Sequence, residues 1–185
     1  MSKWLTALIA LAICAVVGLR LYHEGKMIRD SKNPEAVFHE LKKTAERGNR
    51  KAQYRLARCY DKGHGVTEND SLAFQWYMKA ANQGSGKAMY QVGKCYKNGE
   101  GVAQDLDLAF TWFSRAAQDD NAHGQYAVGK CYLKGIGVAA NQDMARGWLR
   151  RAIQNPSGGA EVLAKIKKDA AKGDEDAKNI LRIIK

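Results

Sequence analysis

Four histidines, four cysteines and one lysine-bearing glycine run are the groups in this chain that could do chemistry. His23, His39, His64 and His123 fall at unrelated positions, and none has a partner at a metal-ligand spacing. They read as surface or loop histidines. Gly84-Ser85-Gly86-Lys87-Ala88 has the outline of a phosphate loop. It lacks the upstream glycine, puts Ala88 where a hydroxyl should follow the lysine, and follows a helical pattern rather than a strand. It reads as a turn. No Ser-x-x-Lys pair offers a nucleophile. Cys14 lies in an apolar run, while Cys59, Cys95 and Cys131 hold one position at a 36-residue interval. Equivalent positions of stacked units sit farther apart than the roughly 4.4–6.8 Å Cα separation of a disulfide. Nor can they share a tetrahedral metal, which needs sulfur at about 2.3 Å. These cysteines read as small buried hydrophobes.

The interval that separates the cysteines governs the whole middle of the chain. Residues 52–84 carry Cys59-Tyr60, Gly63-x-Gly65-Val66, Ala73, Trp76 and Ala80-Ala81. The block returns with Cys95-Tyr96, Gly99-x-Gly101-Val102, Ala109, Trp112 and Ala116-Ala117, then with Cys131-Tyr132, Gly135-x-Gly137-Val138, Ala145, Trp148 and Ala152. A period of this length means a solenoid of supersecondary units, each needing its neighbours to bury its apolar face. Ala52, Leu56, Cys59 and Tyr60 fall on one helical face. Gly63 stands where a left-handed residue would close that helix, and Gly65 keeps the connection tight. Asn69, Asp105 and Asn141 are placed to cap a second helix, whose stripe is Leu72, Ala73, Trp76, Tyr77, Ala80 and Ala81. Each unit is thus a predicted helical hairpin.

The run AxYxLxxCYxxGxGVxxNxxxAxxWYxKAAxxG resembles the Sel1-like repeat, a relative of the tetratricopeptide repeat, over Ala52 to about Pro156. The third copy departs most, with Gly124, Leu149 and Ile153 in place of alanine, an aromatic and alanine. The resemblance implies an all-α, right-handed α-solenoid that recruits other proteins, often in bacterial envelope or signalling complexes. Some cysteine-rich relatives are linked to penicillin binding and β-lactam hydrolysis. Those carry paired cysteines in each repeat, whereas this chain has one, so that activity does not carry over.

Both flanks read as caps. Asn33-Pro34-Glu35 opens a helix through Phe38 and Leu41 at the phase of a second helix, and two further helices follow Pro156, at 160–172 and 174–184. Gly173-x3-Ala177 echoes Gly84-x3-Ala88, as a degenerate repeat start would. The expected organisation is a membrane segment at 1–22, a linker at 23–32 and a repeat domain at 33–185. Within the last lie a cap at 33–51, repeats at 52–87, 88–123 and 124–159, and a C-terminal cap at 160–185.

The N-terminal run Trp4–Leu19 holds no charge, with Lys3 before it and Arg20 after it. Leu21-Tyr22 can extend it toward the interface as Arg20 snorkels, which makes an uncleaved hydrophobic signal-anchor helix at residues 4–22. A cleaved signal peptide is the alternative, but Ala10-x-Ala12 falls too early and Val16-x-Gly18 is a poor site. Leu11-Ala12-Ile13-Cys14 approximates a lipoprotein box, against which the bulky Ile13 argues. Basic residues flank both ends, so orientation rests on analogy with short bacterial anchors: inner membrane, repeats toward the periplasm. Cleavage would instead export the array.

Net charge is +11, from 30 Lys and Arg against 19 Asp and Glu. Such a balance suits an acidic protein, anionic lipid or nucleic acid; no zinc-finger or RNA-recognition signature accompanies it, so nucleic acid is not expected. On each first helix Arg58, Lys94 and Lys130 share a position about 150° from the apolar stripe by helical geometry. Tyr54, Tyr90 and Tyr126 lie four residues earlier. If first helices line the concave face, as in related solenoids, these six residues form a cationic and aromatic groove for an acidic peptide or domain. The tyrosines could instead pack against the next repeat and the basic residues be merely solvated. Lys79, Arg115 and Arg151, on the second helix, match the usual basic position of Sel1-like repeats. The expectation is a non-enzymatic, membrane-tethered binding scaffold with no cofactor, metal or small-molecule substrate. An immunity protein that neutralises a secreted toxin is a sharper variant, and a cell-wall or β-lactam hydrolase a remote one.

Overall fold

The computed structural model describes residues 33–184; the expected anchor and linker lie outside the described residues. Those residues form helices α1 (Pro34–Glu46), α2 (Arg50–Lys62), α3 (Asp70–Asn82), α4 (Gly86–Asn98), α5 (Leu106–Gln118), α6 (Ala122–Lys134), α7 (Gln142–Gln154), α8 (Gly159–Ala171) and α9 (Glu175–Ile183). No strand occurs among them. Among the described residues, no helix is long and apolar enough to cross a membrane. Helices α2 to α7 make three hairpins that recur at the sequence interval, and α1 occupies the second-helix phase of a half repeat. Each unit begins at 50, 86 or 122, two residues ahead of the recurring small residue, because the cap lies upstream of the first buried position.

The caps follow from residue type. Asn69, Asp105 and Asn141 each accept a hydrogen bond from the backbone N–H three residues on, at 2.9, 2.8 and 2.9 Å. Gly63, Gly99 and Gly135 close the first helices at φ +64°, +76° and +69°. That region penalises any side chain and suits glycine. The second glycine of each pair does different work. A Cβ on Gly65, Gly101 or Gly137 would overlap the carbonyl of Pro34, Asp70 or Leu106, the first residue of the preceding second helix. The Gly-x-Gly turn therefore both ends one helix and lets the chain seat on the unit before it.

Between units, aromatic pairs repeat. Phe38 meets Tyr60 edge-on at 5.3 Å, Phe74 meets Tyr96 at 5.4 Å, and Phe110 meets Tyr132 at 5.4 Å. Such edge-to-face pairs add about 0.5–1.5 kcal/mol beyond area burial. The column stops where Arg146 takes the next place in register. Within a unit, the buried aromatic or aliphatic residue is Tyr77, Phe113 or Leu149, immediately after the tryptophan. It faces Ala57, Gly93 or Gly129 in register on the partner helix, and a Cβ on Gly93 or Gly129 would collide with Phe113 or Leu149. Trp112 is buried, but Trp76 and Trp148 are half-exposed, so tryptophan fills the interlayer space less completely than its spacing predicts. The three cysteines of the array are free and buried; burial pushes the Cys95 thiol up to about 12 and Cys131 to about 11.

Buried amides tie the ends of the array. Gln53 donates to the Ala45 carbonyl at 3.1 Å and accepts from Gln83, while Gln125 donates to Asp120 at 2.7 Å and accepts from Asn155. At the C-terminal end, Gly173 has φ +94° and the Asp174 carboxylate accepts from the Ala177 N–H. This repeats the between-unit turns at Asn49, Ser85 and Asn121, as the echo in the sequence leads one to expect. The first helices α4 and α6 pack on each other, and no two second helices of successive units pack as closely. The first helices of the second and third repeats thus approach each other more closely than their second helices do.

Candidate functional site

The first helices carry the six residues singled out by spacing. Tyr54, Tyr90 and Tyr126 are half-buried on successive first helices. Their rings are engaged: Tyr54 lies 5.8 Å from Tyr77, and Tyr90 lies 5.8 Å from Phe113 and 5.6 Å from His123. Burial raises the Tyr90 hydroxyl above its ordinary value, with Tyr54 adding to it. Tyr126 is pushed up to about 12 by burial, then by the charges of Asp169 and Asp174, with Tyr90 contributing. The three phenols thus form a ladder, each in electrostatic reach of the next. Packing is their first role, since ring faces held against second-helix side chains are withheld from a ligand.

The basic column divides. Arg58 is exposed, whereas Lys94 and Lys130 are half-buried. Lys130 Nζ lies 5.8 Å from the centre of the Tyr126 ring, and among the described residues this is the one ring–cation contact on the face. Burial lowers the Lys130 ammonium first, and the neighbouring Lys134 charge lowers it further. The third unit therefore joins tyrosine and lysine as the spacing implies, and the first two do not.

A wider pattern surrounds the column. Positions 51, 55, 58 and 62 follow i, i+4, i+7 and i+11 along one helical face. Across three units they read Lys51, Arg55, Arg58, Lys62, then Lys87, Gln91, Lys94, Asn98, then His123, Ala127, Lys130, Lys134. Eight of these twelve are Lys or Arg and none is acidic. Following a single column misses this; reading four positions per helix through the 36-residue interval finds it.

The other basic column has a structural use. Lys79 Nζ lies 3.9 Å from the centre of Trp76, and the Arg115 and Arg151 guanidinium carbons lie 4.6 and 5.4 Å from Trp112 and Trp148. Cation–π stacking explains why each second helix places a base three residues after its tryptophan. Elsewhere, His123 sits 3.7 Å from Glu161, and the Lys134 ammonium donates to the Asp176 carboxylate. That hydrogen bond, ahead of other causes, holds the Asp176 carboxyl below its ordinary value. Among the described residues no group of three or more His, Cys, Asp or Glu is arranged to hold a metal.

A stack of capped helical hairpins with a sidedness of charge defines a repeat scaffold. A family model described as the Sel1 repeat matches residues 50–85, 86–121 and 122–157, more than half of the chain, and the protein belongs to the Sel1 repeat family. It is 30% identical to a Sel1 repeat protein from Oxalobacter formigenes, over 86% of this chain and 65% of that one, with a TM-score of 0.68. It is 28% identical to c5321, a protective antigen of uropathogenic Escherichia coli with an SLR fold, over 83% of this chain and 34% of that one, again at 0.68. Cysteine-rich protein B of Helicobacter pylori matches at 26% identity over 78% of this chain and 96% of its own, with a TM-score of 0.50. The chain thus spans less than two thirds of the length of the first two. A comparison with curated proteins finds no match. Sel1 repeat proteins act as protein–protein interaction scaffolds and are typically non-enzymatic.

Proposed function

We propose that this chain is a membrane-tethered scaffold that binds an acidic partner protein through the inner face of its first helices. The observation that carries this reading is the cationic face itself. Arg58 and Lys94 form no ion pair among the described residues, whereas the second-helix bases are stacked on tryptophan. Uncompensated positive charge raises the free energy of the folded array and is recovered when an acidic surface covers it. The tether rests on the charge-free run at residues 4–19, and by analogy with short bacterial anchors the array lies on the periplasmic side of a bacterial inner membrane.

Crosslinking and affinity capture of the full-length chain from its native membranes tests both parts. A partner lost on combined charge reversal at Arg58, Lys94 and Lys130 places recognition on the inner face; a partner retained by that variant moves recognition elsewhere. Sedimentation of the chain with membranes after carbonate extraction supports the tether, and its release overturns it.

A further inference from the structure

The twelve-position cationic face is not uniform along the stack. In the third row the C-terminal cap supplies counterions: Asp176 accepts from Lys134, and Glu161 approaches His123 at 3.7 Å. Lys130 forms no ion pair among the described residues, but it is half-buried with its Nζ 5.8 Å from the centre of the Tyr126 ring. In the first row Lys62 pairs with its neighbour Asp61 at 3.3 Å. Lys51, Arg55, Arg58, Lys87 and Lys94 have no ion-pair partner among the described residues. All but Lys94 are exposed. The cations with neither an ion pair nor a ring contact therefore lie on α2 and α4, while in the last row Lys134 is paired and Lys130 lies by the Tyr126 ring.

We propose that this open part of the face, Lys51, Arg55, Arg58, Lys87 and Lys94, takes an acidic helical segment of a partner protein. The proposal rests on the inner-face reading and narrows it to the first two repeats. Three observations select the occupant. The cap shows that the carboxylates of helix-borne Asp and Glu reach these register positions. Cations at i, i+4, i+7 and i+11 match carboxylates recurring at the same period on a facing helix. Single-stranded nucleic acid gains affinity by stacking bases on free aromatic faces, and here the Tyr54 and Tyr90 rings lie against Tyr77, Phe113 and His123.

The test uses the full-length chain and a fluorescent poly-glutamate peptide that forms a helix, with oligodeoxythymidylate of equal charge as competitor. The peptide binds the wild type, and Arg55→Glu with Arg58→Glu weakens it at least about tenfold. Lys130→Glu changes it less than about threefold, since Lys130 is half-buried beside the Tyr126 ring. Glu161→Gln with Asp176→Asn opens the third row and tightens binding. Circular-dichroism melts confirm that each variant is folded. If Lys130→Glu weakens the peptide as much as the first-row pair, the placement on the first two repeats falls and the inner-face reading stands. If neither reversal matters, both fall. If oligodeoxythymidylate displaces the peptide at lower concentration than free peptide does, the occupant is nucleic acid and the proposal is overturned.

Discussion

The first and second helices of each repeat carry similar numbers of apolar residues but spend their exposed faces differently. Among the described residues the large exposed hydrophobics are Leu106, Leu108 and Met144, all on second helices. Second helices also start with acid, at Asp70, Asp107 and Asp143, where it complements the helix dipole. Their bases lie over tryptophan rings. Every exposed charge there has a use inside the fold. The first helices α2, α4 and α6 have no acidic residue in the first turn, and the face at the four register positions is positive in every unit. The contrast teaches that the same residue type, at the same period, can be structural on one helix of a hairpin and free for recognition on the other.

The strongest way to test the structural half of that contrast is to remove its largest side chain. Trp112 is buried in the middle unit, so Trp112→Ala should cost about 3–5 kcal/mol. Because units are coupled through their neighbours, the loss should shift the whole unfolding transition in a urea titration of the full chain rather than detach one repeat. Trp76→Ala, at a half-exposed ring in the same register, should cost visibly less. Equal costs would mean that burial does not grade the column.

Next comes the contact between the two helices of a hairpin. Gly93→Ala places a methyl into Phe113, and overpacking of this kind costs about 1–3 kcal/mol. The first unit carries Ala57 at this register opposite Tyr77, so the penalty belongs to the spacing of α4 and α5 rather than to alanine on that face. A melting temperature unchanged by Gly93→Ala would show that Phe113 moves aside freely. Smaller again is Arg115→Met, which keeps the stem over Trp112 and removes the charge; it should cost about 0.5–1 kcal/mol.

Most of the fold was legible in the sequence. The 36-residue interval, the Asx caps and the Gly-x-Gly turns are local chemistry, and α1 to α7 follow them, with Ser85 in place of an Asx cap at α4. The turn before α9 was legible for the same reason, since Gly173-Asp174 repeats a cap whose geometry depends on a few adjacent residues. The Phe38–Tyr60 type of pair was not, because it joins elements of different repeats, and periodicity shows that both positions recur without showing that they meet. Nor was the cation–π role of Lys79, Arg115 and Arg151, where position was clear and contact was not. The six site residues were placed on the first helices by register alone. Which of them are free depended on burial and on the carboxylates of the cap, which approach from far along the chain.

The smallest expected effect is the most informative about the contrast itself. Arg58 is exposed, forms no ion pair among the described residues and lies on the positive face of α2. Its neighbours at the same face are Arg55 and Lys62, both positive. Arg58→Glu should therefore change stability by no more than about 0.5 kcal/mol, as surface substitutions away from specific contacts do. The sign should be favourable at low ionic strength, because a carboxylate four residues before Lys62 and three after Arg55 relieves like-charge repulsion. Thermal melts of the full chain at low and high salt measure this directly. A loss as large as that of Arg115→Met would make the first-helix bases structural like those of the second helices and erase the distinction. A small gain that fades with salt means that the fold tolerates these charges rather than uses them, which is the condition a recognition surface has to meet.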